Sequence, residues 1–207
     1  MAITTYAELQ AAAANWLVRG DLTARIPEFI ALAEVRLNRV LRTRLAEVEQ
    51  GLTAIVGSRT MPLPAGFAEP LTLWLVKPEG RMALPFLEAS LLGACSLRGE
   101  PGAWSIDGAN LAFDRPADKP YVLSFRMLRR FALSEAQPTN ALLADHPDIY
   151  LFATLCEAAP FLRDAELSSA YEARLARAIE EANAKEARSR AARTLATELP
   201  DLTREHG

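Results

Sequence analysis

The segment DLTARIPEFIALAEVRLNRVLR, residues 21–42, constrains the fold more than any other stretch of the chain. Leu22, Ile26, Phe29, Ile30, Ala33, Leu37, Val40 and Leu41 recur at spacings of three and four, the pattern of a helix with one apolar side. That side must be covered, so the chain needs further elements to pack on it. Pro27 is tolerated only in a first turn, where amides have no helical partner to lose, so the regular helix begins just before it. Arg25, Arg36 and Arg39 fall close together on the opposite face, with Arg42 and Arg44 further round. Two readings stay open for them: a solvated helix face, or a face that meets an acidic partner.

Other helices are signalled by their starts. Thr5-Tyr6-Ala7-Glu8 matches a capping box, predicting a helix to about Val18 that Gly20 stops. Helical texture returns at Pro138-Thr139-Asn140 and Leu142. His146 precedes Pro147, which forces His146 to be extended and favours the first helical position, and Asp148 adds negative charge at the positive end of the helix dipole. Ile149, Phe152, Ala153, Cys156 and Pro160 share a stripe, and Pro160 should kink or end that helix. A last helix is expected from about Ala165, with Leu167, Tyr171, Leu175, Ala178 and Ile179 inward. Beyond Ala182 the apolar stripe thins, leaving either a fraying extension or a tail that orders on a partner.

Between these helices the texture changes. LTAIV, RTMPLP, LTLWLV, RMALPFL, WSIDGANLAF and YVLSFRML are short runs broken by Gly and Pro and read as strands, with Asp107-Gly108 as a tight hairpin turn. The expected fold is therefore mainly α with β: a four-helix bundle from residues 4–47 and 138–184, an inserted small antiparallel β-module over 48–130, and a C-terminal extension over 185–207. Ile26, Phe29, Ile30, Leu37, Phe152, Cys156, Tyr171 and Leu175 are expected to share one core. Trp16, Trp74 and Trp104 have apolar neighbours, so packing is the expected role rather than base stacking.

Chemistry is sparse. The 207 residues include two histidines and two cysteines, Cys95 and Cys156, with no CxxC, GxSxG, HExxH, P-loop or GxGxxG pattern, so no cofactor, metal site or catalytic triad is expected. Glu157, alone in an apolar run, is a candidate general acid for a cell-wall glycoside hydrolase, against the plainer reading of a pair with Arg25, Arg36 or Arg163. His146-Pro147-Asp148 is also the tripeptide of J-domain cochaperones, but here it follows a β-rich region and a polar turn. A formal charge of −3 argues against a surface that grips nucleic acid all over. No apolar run reaches membrane-spanning length, and the N-terminus lacks a signal-peptide layout, so neither membrane insertion nor export by that route is expected.

Three stretches, LTARIPEFIALAEVRLNRVLR, MPLPAGFAEPLTLWL followed by WSIDGANLAFDRPAD, and PTNALLADHPDIYLFATLCEAAPFLRDAE, resemble in order and spacing the head-to-tail adaptor proteins of tailed bacteriophages and phage-derived gene transfer particles. The resemblance runs from about Thr4 to Glu181 and is loosest around Lys77 to Gly102. It implies a structural virion protein and no enzyme: a homo-oligomeric ring, commonly dodecameric, at the head-tail junction. The ring docks beneath the portal protein and continues the DNA channel towards the next tail component, without sequence-specific DNA binding. It further implies a portal-binding C-terminal segment, here Lys185, Arg188, Arg190, Arg193, Leu195 and Leu199. Arg25, Arg36 and Arg39 would then lie at contacts between subunits, and His146-Pro147-Asp148 only opens a helix.

Overall fold

A computed structural model describes residues 2–41, 44–93 and 95–198. The chain divides into two compact units: Met1–Ala46 with Phe131–Gly207, and Glu47–Arg130.

In the helical unit, α1 (Tyr6–Leu17) begins at the capping box. The Thr5 hydroxyl accepts from the Glu8 amide at 3.3 Å, and the Glu8 carboxylate accepts from the Thr5 amide at 3.0 Å. The helix ends on Val18, which takes the left-handed conformation at φ 50°, two residues before the glycine expected to stop it. Gly20 instead opens a 3-10 segment, Gly20–Arg25, that leads into α2 (Ile26–Val40), so Pro27 does sit in the first turn. Ile26, Phe29, Ile30, Ala33 and Leu37 are all buried, as their spacing requires.

The return to this unit holds α3 (Ala141–Asp145), α4 (Pro147–Leu162) and α5 (Ala165–Glu198). Asn140 caps α3 by accepting from the Leu143 amide at 2.9 Å. His146 leaves the helical region at φ −139° and ψ 63°, short of the fully extended conformation expected before a proline, and splits α3 from α4. Nearly every side of α4 is buried, because it packs on α1, α2, α3 and α5 at once. Its buried Thr154 hydroxyl donates to the Tyr150 carbonyl at 2.8 Å and so adds no unsatisfied group. Pro160 lies in the last turn, and the helix stops at Leu162 with Arg163 left-handed at φ 53°. Tyr171, Leu175, Ala178 and Ala182 bury one side of α5, and its backbone stays helical to Glu198.

The second unit carries seven strands in two antiparallel sheets. These are β1 (Glu47–Thr53), β2 (Thr60–Pro62), β3 (Phe67–Lys77), β4 (Gly80–Leu84), β5 (Trp104–Asp107), β6 (Asn110–Phe113) and β7 (Val122–Arg129). One sheet runs β1-β7-β3-β4 and the other β2-β6-β5. Leu73, Leu75, Leu111, Leu123, Phe125, Met127 and Trp104 form the core of this unit, with the Trp104 indole N–H donating to the Leu84 carbonyl at 3.1 Å. Pro70 stands inside β3, and register shifts on both sides of it take up its missing amide.

The expected four-helix bundle is not what forms. The described residues hold five α-helices and seven strands in two antiparallel sheets, an α/β mix. Two physical causes stand out. The stretch before His146, expected only to have helical texture, forms a helix of its own, α3, and α4 is a hub instead of one of four equivalent partners. The β region is no small module either, since it closes over a hydrophobic core of its own.

Two packing expectations also fail. Trp16 is 43% exposed, edge-on to Phe152 at 5.7 Å with the Arg174 guanidinium 5.7 Å from its ring, and Phe152 is only partly buried. The run LTAIV is not a strand of its own: β1 ends at Thr53, and Val56 makes only an isolated bridge to Ala117.

Candidate functional site

Arg36 on α2 joins three helices. Its guanidinium donates twice to the Glu172 carboxylate of α5, at 2.8 and 2.5 Å, and lies 3.7 Å from Glu157 of α4. The hydrogen bonds from Arg36 hold the Glu172 carboxyl below its ordinary proton affinity. Of the three arginines open as partners for Glu157, Arg36 is thus the one that faces it. Burial pushes the neighbouring Cys156 thiol up to about 12, so it stays a neutral, inert side chain. This arrangement ties α2, α4 and α5 together, with Glu157 beside Arg36.

Among the described carboxyls, the one with raised proton affinity is Glu34, two residues before Arg36 on α2. Burial pushes it up to about 7, opposed in part by the Leu133 backbone and by the Tyr150 phenol, 3.5 Å away. Tyr150 also accepts from the Asn140 amide at 2.7 Å. Nothing in the sequence pattern around Glu34 marked it, because its burial depends on the 131–140 segment returning alongside α2, where the Asn38 amide donates to the Phe131 carbonyl at 2.9 Å.

The three arginines expected to act together are placed differently from one another. Arg25 caps the start of α2 with its guanidinium 5.0 Å from the Phe161 ring centre. Arg36 is engaged by the two glutamates. Arg39 is exposed, and on its side of α2 Leu32 and Val35 are 47% and 48% exposed, an apolar strip left uncovered in the subunit. Of the expected C-terminal contacts, Lys185 and Arg188 are exposed on α5, with the Arg188 Nε donating to the Ala184 carbonyl at 3.2 Å. The side chains of Arg190, Arg193 and Leu195, and the whole of Leu199, lie outside the described residues.

His146-Pro147-Asp148 forms the α3–α4 junction. The His146 amide donates to the Leu142 carbonyl at 2.8 Å, and its own carbonyl accepts from the Ile149 amide at 3.2 Å. On the four-stranded sheet, charged side chains cross from strand to strand: Arg126 pairs with Glu47 and Arg81 with Glu49, while the Ser124 hydroxyl donates to Glu49 at 2.6 Å. Among the described residues no group of three or more His, Cys, Asp or Glu side chains is placed to hold a metal, and no helix is long and apolar enough to cross a membrane.

The site geometry is therefore that of charged and apolar surfaces on rigid helices and strands. Comparison with curated proteins finds no match. The family model described as SU10 adaptor protein matches residues 4–198, nearly the whole chain, and the chain accordingly belongs to that family of phage head-tail adaptors.

Proposed function

We propose that the protein is a subunit of a head-to-tail adaptor ring that docks beneath a portal protein and continues the DNA channel towards the tail. The family match supports the adaptor role. The observation that carries the docking surface is α5, which continues helical from Asn183 to Glu198 beyond Ala182, the last buried residue among those described. About 24 Å of helix, at about 1.5 Å per residue, follows Ala182, and a helical segment of that length suits a partner surface. Its exposed Lys185 and Arg188 give that surface positive charge, to which Arg190 and Arg193 add in the sequence.

In the same reading the uncovered strip of Leu32 and Val35 beside Arg39 meets a neighbouring copy, by a head-to-tail contact that closes through rotation, in the dodecameric form common to such rings. Charge bridges across the four-stranded sheet offer a polar face for the downstream tail component. A modest net charge of −3 lets DNA pass a lumen without adhering to it. These roles need no catalysis.

Truncation of residues 184–207 tests the docking segment. The shortened chain should keep its helical circular dichroism and melt cooperatively, yet no longer bind the cognate portal. Replacing Arg188, Arg190 and Arg193 by Glu should weaken docking most at low salt, since screening already weakens the contact at high salt. Docking of the truncated chain at full strength would show that the contact lies elsewhere.

A further inference from the structure

The turn that leads from α1 into α2 and the end of α4 enclose a cavity of about 530 Å³, within the size range of ligand pockets. Arg19, Arg25 and Arg163 line it together with one acid, Asp21. The apolar part of the wall includes Pro160, Phe161 and Leu162. Arg19 holds Asp21 through two hydrogen bonds, at 2.8 and 2.7 Å, so that pair neutralises itself. Arg25 and Arg163 form no salt bridge among the described residues. Two arginines without a salt bridge among the described residues thus line one cavity in a chain whose net charge is −3.

Arg25 is held by an aromatic ring, and Arg163 sits at a helix end. The Arg25 guanidinium lies over the Phe161 ring, which fixes its plane at low entropy cost and leaves N–H groups for a planar acceptor. Arg163 takes the left-handed backbone conformation at a helix end, a position that glycine or asparagine fills with less strain. The residue in that position is an arginine, and it lines the cavity.

We infer that this pocket docks an acidic peptide segment of a partner protein, with a carboxylate held between Arg25 and Arg163 and an adjacent aliphatic side chain against Pro160, Phe161 and Leu162. Nucleic acid is the poorer fit. Duplex DNA carries a charge about every 1.7 Å of its axis and is gripped by rows of cations, whereas this cavity offers two free ones beside an apolar wall and a resident carboxylate. Planar carboxylates match paired guanidinium groups, and an apolar neighbour supplies the contact area that charge alone lacks. The inference stands apart from the portal reading, since it concerns a different surface and is tested on the isolated chain.

The test titrates the full chain into the fluorescein-labelled peptide GLEDLEG and follows anisotropy. Arg25→Gln and Arg163→Gln should each weaken binding by about tenfold or more, the loss expected when a charge-assisted contact is removed. The amide peptide GLQNLQG should bind weaker by a similar factor, and Arg98→Gln, exposed in the other unit, should change nothing. Both pocket arginines are exposed, so the variants should melt like the parent, which circular dichroism checks directly. Absence of peptide binding, or binding that survives both pocket substitutions, would overturn the inference. So would tighter binding of a short DNA duplex that Arg25→Gln abolishes.

Discussion

Glu34 and Arg36 lie two residues apart on α2 in opposite electrostatic settings. Arg36 holds the Glu172 carboxylate ionised, a stabilisation present above the ordinary carboxylate range and lost as pH falls through the lowered value. Glu34 behaves in the reverse sense. Its proton is bound more tightly in the folded chain, so its contribution to stability is full below pH 4.5 and is lost as pH rises through about 7. Glu34→Gln should therefore flatten the pH dependence of stability between those limits, by on the order of 1 kcal/mol once solvent screening is allowed for, which melting temperatures measured across that range would show. Parallel melting profiles for the two proteins would show that Glu34 is not buried in the way described. Glu157→Gln should cost less than about 1 kcal/mol, because Arg36 keeps its closer bonds to Glu172 and the pair is partly solvated. Phe29, fully buried on α2, differs in kind: Phe29→Ala should cost about 3–5 kcal/mol in urea unfolding.

At the scale of elements, the caps and turns are the places where one residue decides a boundary. Asn140 accepts the Leu143 amide and donates to Tyr150, so Asn140→Ala should lower stability by about 1–2 kcal/mol, measurable by thermal melting. Gly108 has φ 57° with nothing near an added Cβ, so Gly108→Ala should cost about 1–2 kcal/mol from backbone strain alone. Signals of this local kind were legible in the sequence: the Thr5–Glu8 box, Pro27 in a first turn and the start at Pro147 all sit where residue chemistry put them. Those set by tertiary contact were not. The stop of α1 at Val18 overrides the better stop signal of Gly20, and β1 was hidden because Glu47 and Glu49 read as polar although they pair with arginines across the sheet. The hairpin turn was found but placed one residue early, since Asp107 is the last residue of β5 and Gly108-Ala109 make the loop. The candidate surfaces divide the same way. Most of the buried side of α2 followed from periodicity, although Val40, placed on it, is 52% exposed, whereas the Arg25–Phe161 stack and the partner of Glu157 required knowing which helices meet.

For the whole molecule, the features left unexplained by folding are surfaces. Leu32 and Val35 stay uncovered on α2, α5 continues past Ala182, the last buried residue among those described, and Leu91 and Leu97 are exposed in the β unit. In the proposed adaptor ring these are the surfaces on which neighbouring copies and the portal would dock. The central claim is assembly on a portal, and the direct measurement is the mass of the complex formed when this chain is mixed with its cognate portal ring, by light scattering after size exclusion. The account predicts one closed complex that saturates at one adaptor chain per portal chain and does not form with the chain lacking residues 184–207. A portal that elutes at its own mass in the presence of excess full-length chain would contradict it.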